Sequence, residues 1–396
     1  MMRVPFELTE KDYREYMTAL FDEIDEDDSR EIDREEWGNY FCASREVVSR
    51  PDQWNPQENP DCRKITGFIF DCDGTIYHPS GLIQGAEDML TWIVQSGYQY
   101  VLLSNTGSES HTSLHRKLTT PGVFECRPDG KAFPEGQCYT AADAQIDFIT
   151  SGHIPAHSKL LVLAPVTSTW KKMVSQRVPD LVESWDIHLN MDVETAKEWA
   201  QHAKKRLDWE NLAIEDRIQV EAPPKTAIVF FHDGMVETDW SFELLHAMTI
   251  LLRFGAEFIY TAEDATNPSS DDERFPDDDF PKPGPGMFVQ MLKRSMLTES
   301  RCFCCGKGGN VGRKFMIERA IRMLEAQGHS GRRECMMIVG DRFDSDIRAG
   351  TFSGIKTCLL ESGAHTLDDA DQFPTDIPSF ASKSILDLHS NCILDQ

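Results

Sequence analysis

Two aspartates two positions apart, Asp71 and Asp73, follow the apolar run Ile65-Thr66-Gly67-Phe68-Ile69-Phe70 and precede Gly74. A buried strand presents carboxylates in this way at the rim of an α/β sheet, where ligands bind outside the carboxyl ends of the strands. Carboxylates so placed are suited to nucleophilic or acid–base chemistry. An Asp-x-Asp before glycine is also a common turn, so the rest of the chain has to decide. Two further apolar runs end in polar clusters. Tyr100-Val101-Leu102-Leu103 leads into Ser104-Asn105-Thr106-Gly107, and Glu334-Cys335-Met336-Met337-Ile338-Val339 leads into Gly340-Asp341-Arg342-Phe343-Asp344-Ser345-Asp346.

The elements that position these clusters read as strands separated by helical patterns, the signature of βα units and a doubly wound, mostly parallel sheet. Thirty-three positions separate Asp71 from Ser104, whereas 203 separate Ser104 from Lys307, enough for an inserted domain. Within that insertion, Leu160 to Leu163 and Ile228 to Phe231 read as strands. Val193 to Arg206 and Ser241 to Arg253 read as helices.

These three clusters, in this order, resemble the motifs of the haloacid dehalogenase superfamily of phosphotransferases over roughly residues 60 to 390. The chain is most similar to the branch of nitrophenylphosphatases, phosphoglycolate phosphatases and pyridoxal phosphatases, which carry a large α/β cap between the second and third motifs. The resemblance implies a role for each residue. Asp71 would be the nucleophile that forms an aspartyl-phosphate, and Asp73 would protonate the leaving oxygen and then activate water. Mg2+ would be held by the Asp71 carboxylate, the Asp73 backbone carbonyl and Asp341, with Asp346 behind them. Ser104 and Asn105 would bind the phosphoryl oxygens. The reaction implied is hydrolysis of a small phosphorylated metabolite, and the family's caps add the expectation of a homodimer.

Two lysines compete to be the cation at the transferring group. Lys282 lies in the loop-like stretch Asp277 to Gly286, with no strand to position it. Lys307 follows the short apolar run Arg301-Cys302-Phe303-Cys304-Cys305-Gly306 and precedes a helical stretch from about Arg313 to Gln327. Lys307 is the choice, and it also matches the family's Gly-Lys motif, although Gly308-Gly309 follow it where the family usually has proline. Cys302, Cys304 and Cys305 have neither the spacing nor the histidines of a zinc site and read as buried residues. The segment Phe258-Ile259-Tyr260-Thr261 with Asn267-Pro268 resembles the family's return from the cap.

The N-terminus carries a separate motif. From Asp25 to Glu36 the sequence Asp-Glu-Asp-Asp-Ser-Arg-Glu-Ile-Asp-Arg-Glu-Glu matches a twelve-residue EF-hand loop. Asp25, Asp27, Ser29 and Asp33 offer oxygens to Ca2+ directly or through water, Glu31 a backbone carbonyl, and Glu36 a bidentate carboxylate. Arg30 occupies the sixth position, which normally needs glycine. A left-handed backbone there costs a side-chain-bearing residue about 1–2 kcal/mol, so weaker calcium binding is expected.

The expected organisation is a small α-helical EF-hand module at 1–50, a proline-rich linker at 51–60, a discontinuous catalytic core at 61–145 and 300–396, and a cap at 146–299. The net charge of −26 argues against nucleic-acid binding. No apolar run reaches the length of a signal peptide core or a membrane helix, and the 11 cysteines are scattered irregularly. A cytoplasmic, Mg2+-dependent phosphatase is the leading expectation, with modulation by calcium added only because both motifs share one chain. The alternative is a calcium-responsive scaffold with a phosphatase-like core.

Overall fold

The computed structural model of the 396-residue chain describes residues 65–78, 81–119, 135–164, 167–231, 241–267, 282–296 and 299–394. The expected calcium loop, Asp25 to Glu36, and the 51–60 linker lie outside the described residues.

Two parallel sheets organise the described chain. In chain order the strands are β1 (Gly67–Asp71), β2 (Gln99–Ser104), β3 (Cys138–Thr140), β4 (Lys159–Leu163), β5 (Asp186–His188), β6 (Thr226–Phe230), β7 (Glu257–Tyr260), β8 (Cys302–Cys304), β9 (Met336–Gly340), β10 (Lys356–Leu360) and β11 (Phe380–Ser382). The first sheet has the order β11-β10-β9-β1-β2-β3 and the second β8-β7-β6-β4-β5. Every pairing in both is parallel. Such strands are covered on both faces, which is why β1 reads as a continuous apolar run and all five of its residues are buried.

From β1 the chain winds outward through β2 and β3, enters the second sheet, and returns as β9 on the other side of β1. The winding direction therefore reverses between β1 and β9. At such a switch point the loops at the strands' carboxyl ends diverge and leave a crevice. Asp71 ends β1 and Asp341 follows β9, so both carboxylates are delivered to that crevice.

The sheets share a core. The helix Ala141–Phe148 is alanine-rich and almost wholly buried, and small side chains let it lie between the two layers. It belongs to one continuous apolar cluster with Ile69 and Val101 of the first sheet and Leu160, Val229 and Ile259 of the second. Gln145 on this helix donates to the Phe230 carbonyl at 3.0 Å. Phe68, Phe70 and Leu102 pack on the opposite face of the first sheet, and Phe230, Phe258 and Trp199 on that of the second.

Three sequence expectations differ from the described structure. The boundaries at 145/146 and 299/300 cut through continuous structure: the first falls inside the shared helix, and the second falls before β8, which pairs with β7 of the second sheet. The segment Phe258 to Thr261 is accordingly not the return from the inserted domain, because the sheet still needs β8 along its edge. Lys282 also lies on a two-residue strand, Lys282–Pro283, paired with Thr266–Asn267, where the sequence suggested only loop.

Ile69 is fully buried at the centre of the first sheet. Ile69→Ala should cost about 2–5 kcal/mol in urea denaturation, as truncations in packed cores do. Phe242, 83% exposed, should tolerate alanine within about 0.5 kcal/mol. Equal costs at the two positions would contradict this packing.

Candidate active site

The site is assembled at the carboxyl end of the first sheet. Beyond Asp71 the chain turns at Gly74, whose φ of +80° is a left-handed conformation that glycine adopts without strain. A side chain at Gly74 would also collide with the Asp341 carboxylate, so the turn can approach the third cluster only because glycine is there. Asp73 is partly exposed, and its Oδ2 accepts from the hydroxyls of Tyr77 and Ser104, each at 3.3 Å. Ser104 is fully buried at the end of β2, and its Oγ accepts from the Thr106 N–H at 3.1 Å.

Asp341 and Asp346 are brought together by a wide π-helical turn over Phe343–Ile347, a form that recurs at functional sites. A Cβ on Gly340 would strike the Asp346 carboxylate, so glycine is again what permits the approach. The Arg342 N–H donates to Asp346 Oδ2 at 3.3 Å and the Ala364 N–H to Asp341 Oδ2 at 2.8 Å. Asp341 Oδ1 is buried without a hydrogen-bond partner.

Lys307, 2% exposed, reaches this cluster from the loop after β8. Its ammonium pairs with Asp71 Oδ1 and lies 2.6 Å from Asp346 Oδ1. Burial alone would pull the Lys307 pKa down, but Asp346 and Asp71 more than offset this and hold it above the ordinary value. For Asp71, burial pushes the carboxyl well up against the pull of Lys307, and Asp346, Asp341 and Asp73 add to the rise. Asp341 is pushed up to about 7 by burial and then by Asp346, with the Ala364 N–H, Arg342 and Lys307 opposing.

The glycines around Lys307 have a packing reason. A Cβ would meet the Thr261 carbonyl and Asn105 Oδ1 at Gly306, the Asp344 carbonyl at Gly308, and the Cys304 carbonyl at Gly309. The loop is wedged between backbones, so Gly308-Gly309 supplies close approach where the resembled family has proline.

Carboxylate oxygens of Asp71, Asp341 and Asp346 lie within 4.8 Å of one another, the one such grouping of metal-ligating side chains among the described residues. When ionised, these three carboxylates against one ammonium leave two negative charges in a buried site, and one buried oxygen unsatisfied. Both features fit a divalent cation of oxygen-preferring type.

Structure therefore brings Asp71, Asp73, Ser104, Lys307, Asp341 and Asp346 together. Asn105 is also present, but its side chain has other partners: Nδ2 donates to Asp264 Oδ2 at 3.1 Å, and Oδ1 accepts from the Lys307 N–H at 3.0 Å. Sequence reasoning missed Asp264 and Arg342. Arg342 Nε lies 3.1 Å from Asp264 Oδ1, and the guanidinium also grips Asp344 with bonds of 3.1 and 3.0 Å. Arg342 had a signal in its place beside Asp341. Asp264, in Thr261-Ala262-Glu263-Asp264, had none, because its partners lie in other loops.

The chain is similar to known phosphatases over most of its length. Family models described as haloacid dehalogenase-like hydrolase and HAD-hydrolase-like match residues 68–169 and 312–388, which include the ends of β1, β2 and β9. Ribonucleotide monophosphatase NagD of Escherichia coli is 24% identical over 310 residues, 78% of this chain and 93% of NagD. Phosphoglycolate phosphatase 2 of Arabidopsis thaliana is 23% identical over 337 residues, 82% of this chain and 93% of its own. The crystal structure of 4-nitrophenylphosphatase from Thermotoga maritima superposes with a TM-score of 0.55 at 21% identity, covering 83% of this chain and 98% of that one. The chain is similar to haloacid dehalogenase-type hydrolases over these matched segments. These similarities support a phosphoric monoester hydrolase, similar to the branch that holds these phosphatases, over a scaffold role.

The raised Asp341 carboxyl links stability to pH. The folded state holds a proton that the unfolded chain, with its ordinary value of 3.8, has released. Stability from this group is present below about pH 4 and lost as pH rises through about 7. Cation-free protein should therefore melt lower at about pH 8 than at about pH 6, and Asp341→Asn should remove most of that difference. Mg2+ should raise the melting temperature of the wild type more than that of the variant. Equal pH profiles and equal Mg2+ shifts would contradict the account.

Proposed function

We propose that the chain hydrolyses a small phosphomonoester through an aspartyl-phosphate on Asp71. The observation that carries this reading is the Lys307 ammonium set between Asp71 and Asp346, with Asp73 two positions beyond the strand end. An Asp71 oxygen attacks phosphorus as the bond to the leaving oxygen breaks, and Asp73 gives that oxygen its proton. Asp73 then takes a proton from water, the water oxygen attacks phosphorus, and the bond to Asp71 breaks to release phosphate.

In this reading Lys307 offsets charge on the transferred group, and Ser104 and the backbone N–H groups after β2 orient its oxygens. Phosphoryl transfer needs positioning and neutralisation more than covalent help, and that matches a site built from one ammonium and several carboxylates. Mg2+, held by Asp71, the Asp73 backbone carbonyl and Asp341 with Asp346 in support, would supply further neutralisation of the phosphoryl oxygens. The names of NagD and phosphoglycolate phosphatase support a small phosphorylated metabolite as the substrate class, without choosing one. Asp71→Asn should lower turnover of a chromogenic aryl phosphate by at least about a thousandfold while the chain still unfolds in one cooperative transition, as losing a nucleophile does. Turnover retained in that variant would overturn the mechanism.

Calcium is the second part of the proposal, and it rests on the sequence of Asp25 to Glu36. One structural relative, the glycerol phosphate phosphatase of Mycobacterium tuberculosis, was crystallised in complex with calcium, and in this chain calcium at the Asp71, Asp341 and Asp346 carboxylates is the competing source of any effect. Activity should respond to Ca2+ in the full chain and lose that response in a chain that starts at Trp54. A response that survives truncation cannot come from the N-terminal loop.

A further inference from the structure

Asp264 lies outside the proposed catalytic set, yet one carboxylate joins three loops that carry it. Its Oδ2 accepts from Asn105 Nδ2 at 3.1 Å, and Asn105 Oδ1 in turn accepts from the backbone N–H of Lys307 at 3.0 Å. Its Oδ1 lies 3.1 Å from Arg342 Nε, next in sequence to Asp341. The three loops are those after β2, β8 and β9, which supply Ser104, Lys307 and Asp341.

We infer that Asp264 is a positioning residue for Lys307, acting through the Asn105 amide. The inference rests on the reading of Lys307 as the cation that neutralises the transferred phosphoryl group. Donor and acceptor parity fixes the orientation of the Asn105 amide. A backbone N–H only donates, so the Asn105 atom facing Lys307 must be its oxygen, and the NH2 group must face Asp264. A carboxylate only accepts, so it holds the amide in that sense. The flipped amide would set NH2 against the Lys307 N–H and its oxygen against the Asp264 carboxylate, two repulsive contacts in a desolvated setting.

The anchor itself is held firmly. Arg342 donates to Asp344 through Nε and Nη2 while the same Nε lies 3.1 Å from Asp264 Oδ1, so the carboxylate is not left as an uncompensated charge. The Asp264 carbonyl accepts from the Gly286 N–H at 2.8 Å and ties the residue to the start of the helix Pro285–Lys293. Asn105 has no slack either, since a Cβ on Gly306 would press against its Oδ1. Lys307 stands two bonds of this relay away from Asp264, and a shift of its backbone would carry the ammonium away from Asp71 and Asp346. Asp264 is thus a part of the second sheet's loop after β7 that sets the geometry of the first sheet's chemistry.

Asp264 also borders a pocket of about 200 Å3 shared with Asn105, Gly306 and Gly308, so a polar substitution there meets existing space. Asp264→Asn is the informative variant. Its amide can still accept from Asn105, but only by turning NH2 toward the Arg342 guanidinium, a donor group against a cation. With an aryl phosphate, kcat should fall about 10- to 100-fold while KM stays within about threefold, the size of effect seen when a supporting contact is removed. In an Asn105→Ala background the same change should cost less than about twofold, because the path to Lys307 is already cut.

A kcat within about twofold of wild type, or an equal loss in both backgrounds, would overturn the inference. If Asp264→Asn shows no cooperative melt, Asp264→Glu runs through the same cycle, keeping the charge but displacing the carboxylate by one methylene. Asp71→Asn is measured alongside. Turnover in that variant would count against the proposed mechanism, whereas an inactive Asp71→Asn beside a fully active Asp264→Asn would count against the positioning role alone.

Discussion

One ammonium group buried among carboxylates is the constraint on which the rest of this structure depends. Lys307 is desolvated, and a charge in that condition is tolerated only if it is paired. Asp71 and Asp346 are equally buried, so each partner needs the other, and removing one of them from a buried pair costs about 3–5 kcal/mol. The pairing leaves Asp341 as the carboxylate without compensation. Its raised pKa and unpartnered oxygen are two expressions of the same deficit, and they point to where positive charge is wanted.

The fold meets this constraint by convergence. Asp71 and Asp341 come from adjacent strands at the switch point of the first sheet, while Lys307 hangs from the edge strand of the second. These two origins explain why the sheets share the buried alanine-rich helix Ala141–Phe148 and one continuous apolar core. Two independently moving layers would not keep an ammonium within hydrogen-bond reach of carboxylates on the other layer. Glycines do the remaining work at short range. At 74, 308 and 340 a side chain would collide with Asp341, the Asp344 backbone or Asp346, so the loops close on one another only where no Cβ stands.

Much of this was legible in the sequence. Parallel strands buried on both faces announce themselves as apolar runs, and the chemistry lies in the residues that follow them, as at Asp71, Ser104 and Asp341. Lys307 could be chosen over Lys282 because a short apolar run precedes it, and that run is β8. The limits of the inserted domain were less legible. A helix such as Ala141–Phe148 belongs to both layers, and β8 is three residues long, too short for periodicity to assign it to either sheet. Asn105 looked like a phosphate ligand because it follows Ser104, but its side chain holds Lys307 and Asp264. Contacts between distant loops leave no pattern along the chain, and Asp264 was invisible for that reason.

The central claim is that Asp71, held beside Lys307, is the atom-to-atom acceptor of the phosphoryl group. The most direct measurement is acid quenching of the enzyme during turnover of a phosphomonoester, followed by peptide mapping by mass spectrometry. The account predicts a phosphoryl group, labile to base and hydroxylamine, on Asp71. A phosphoryl group on Ser104, or burst-free turnover with none on the protein, would contradict it.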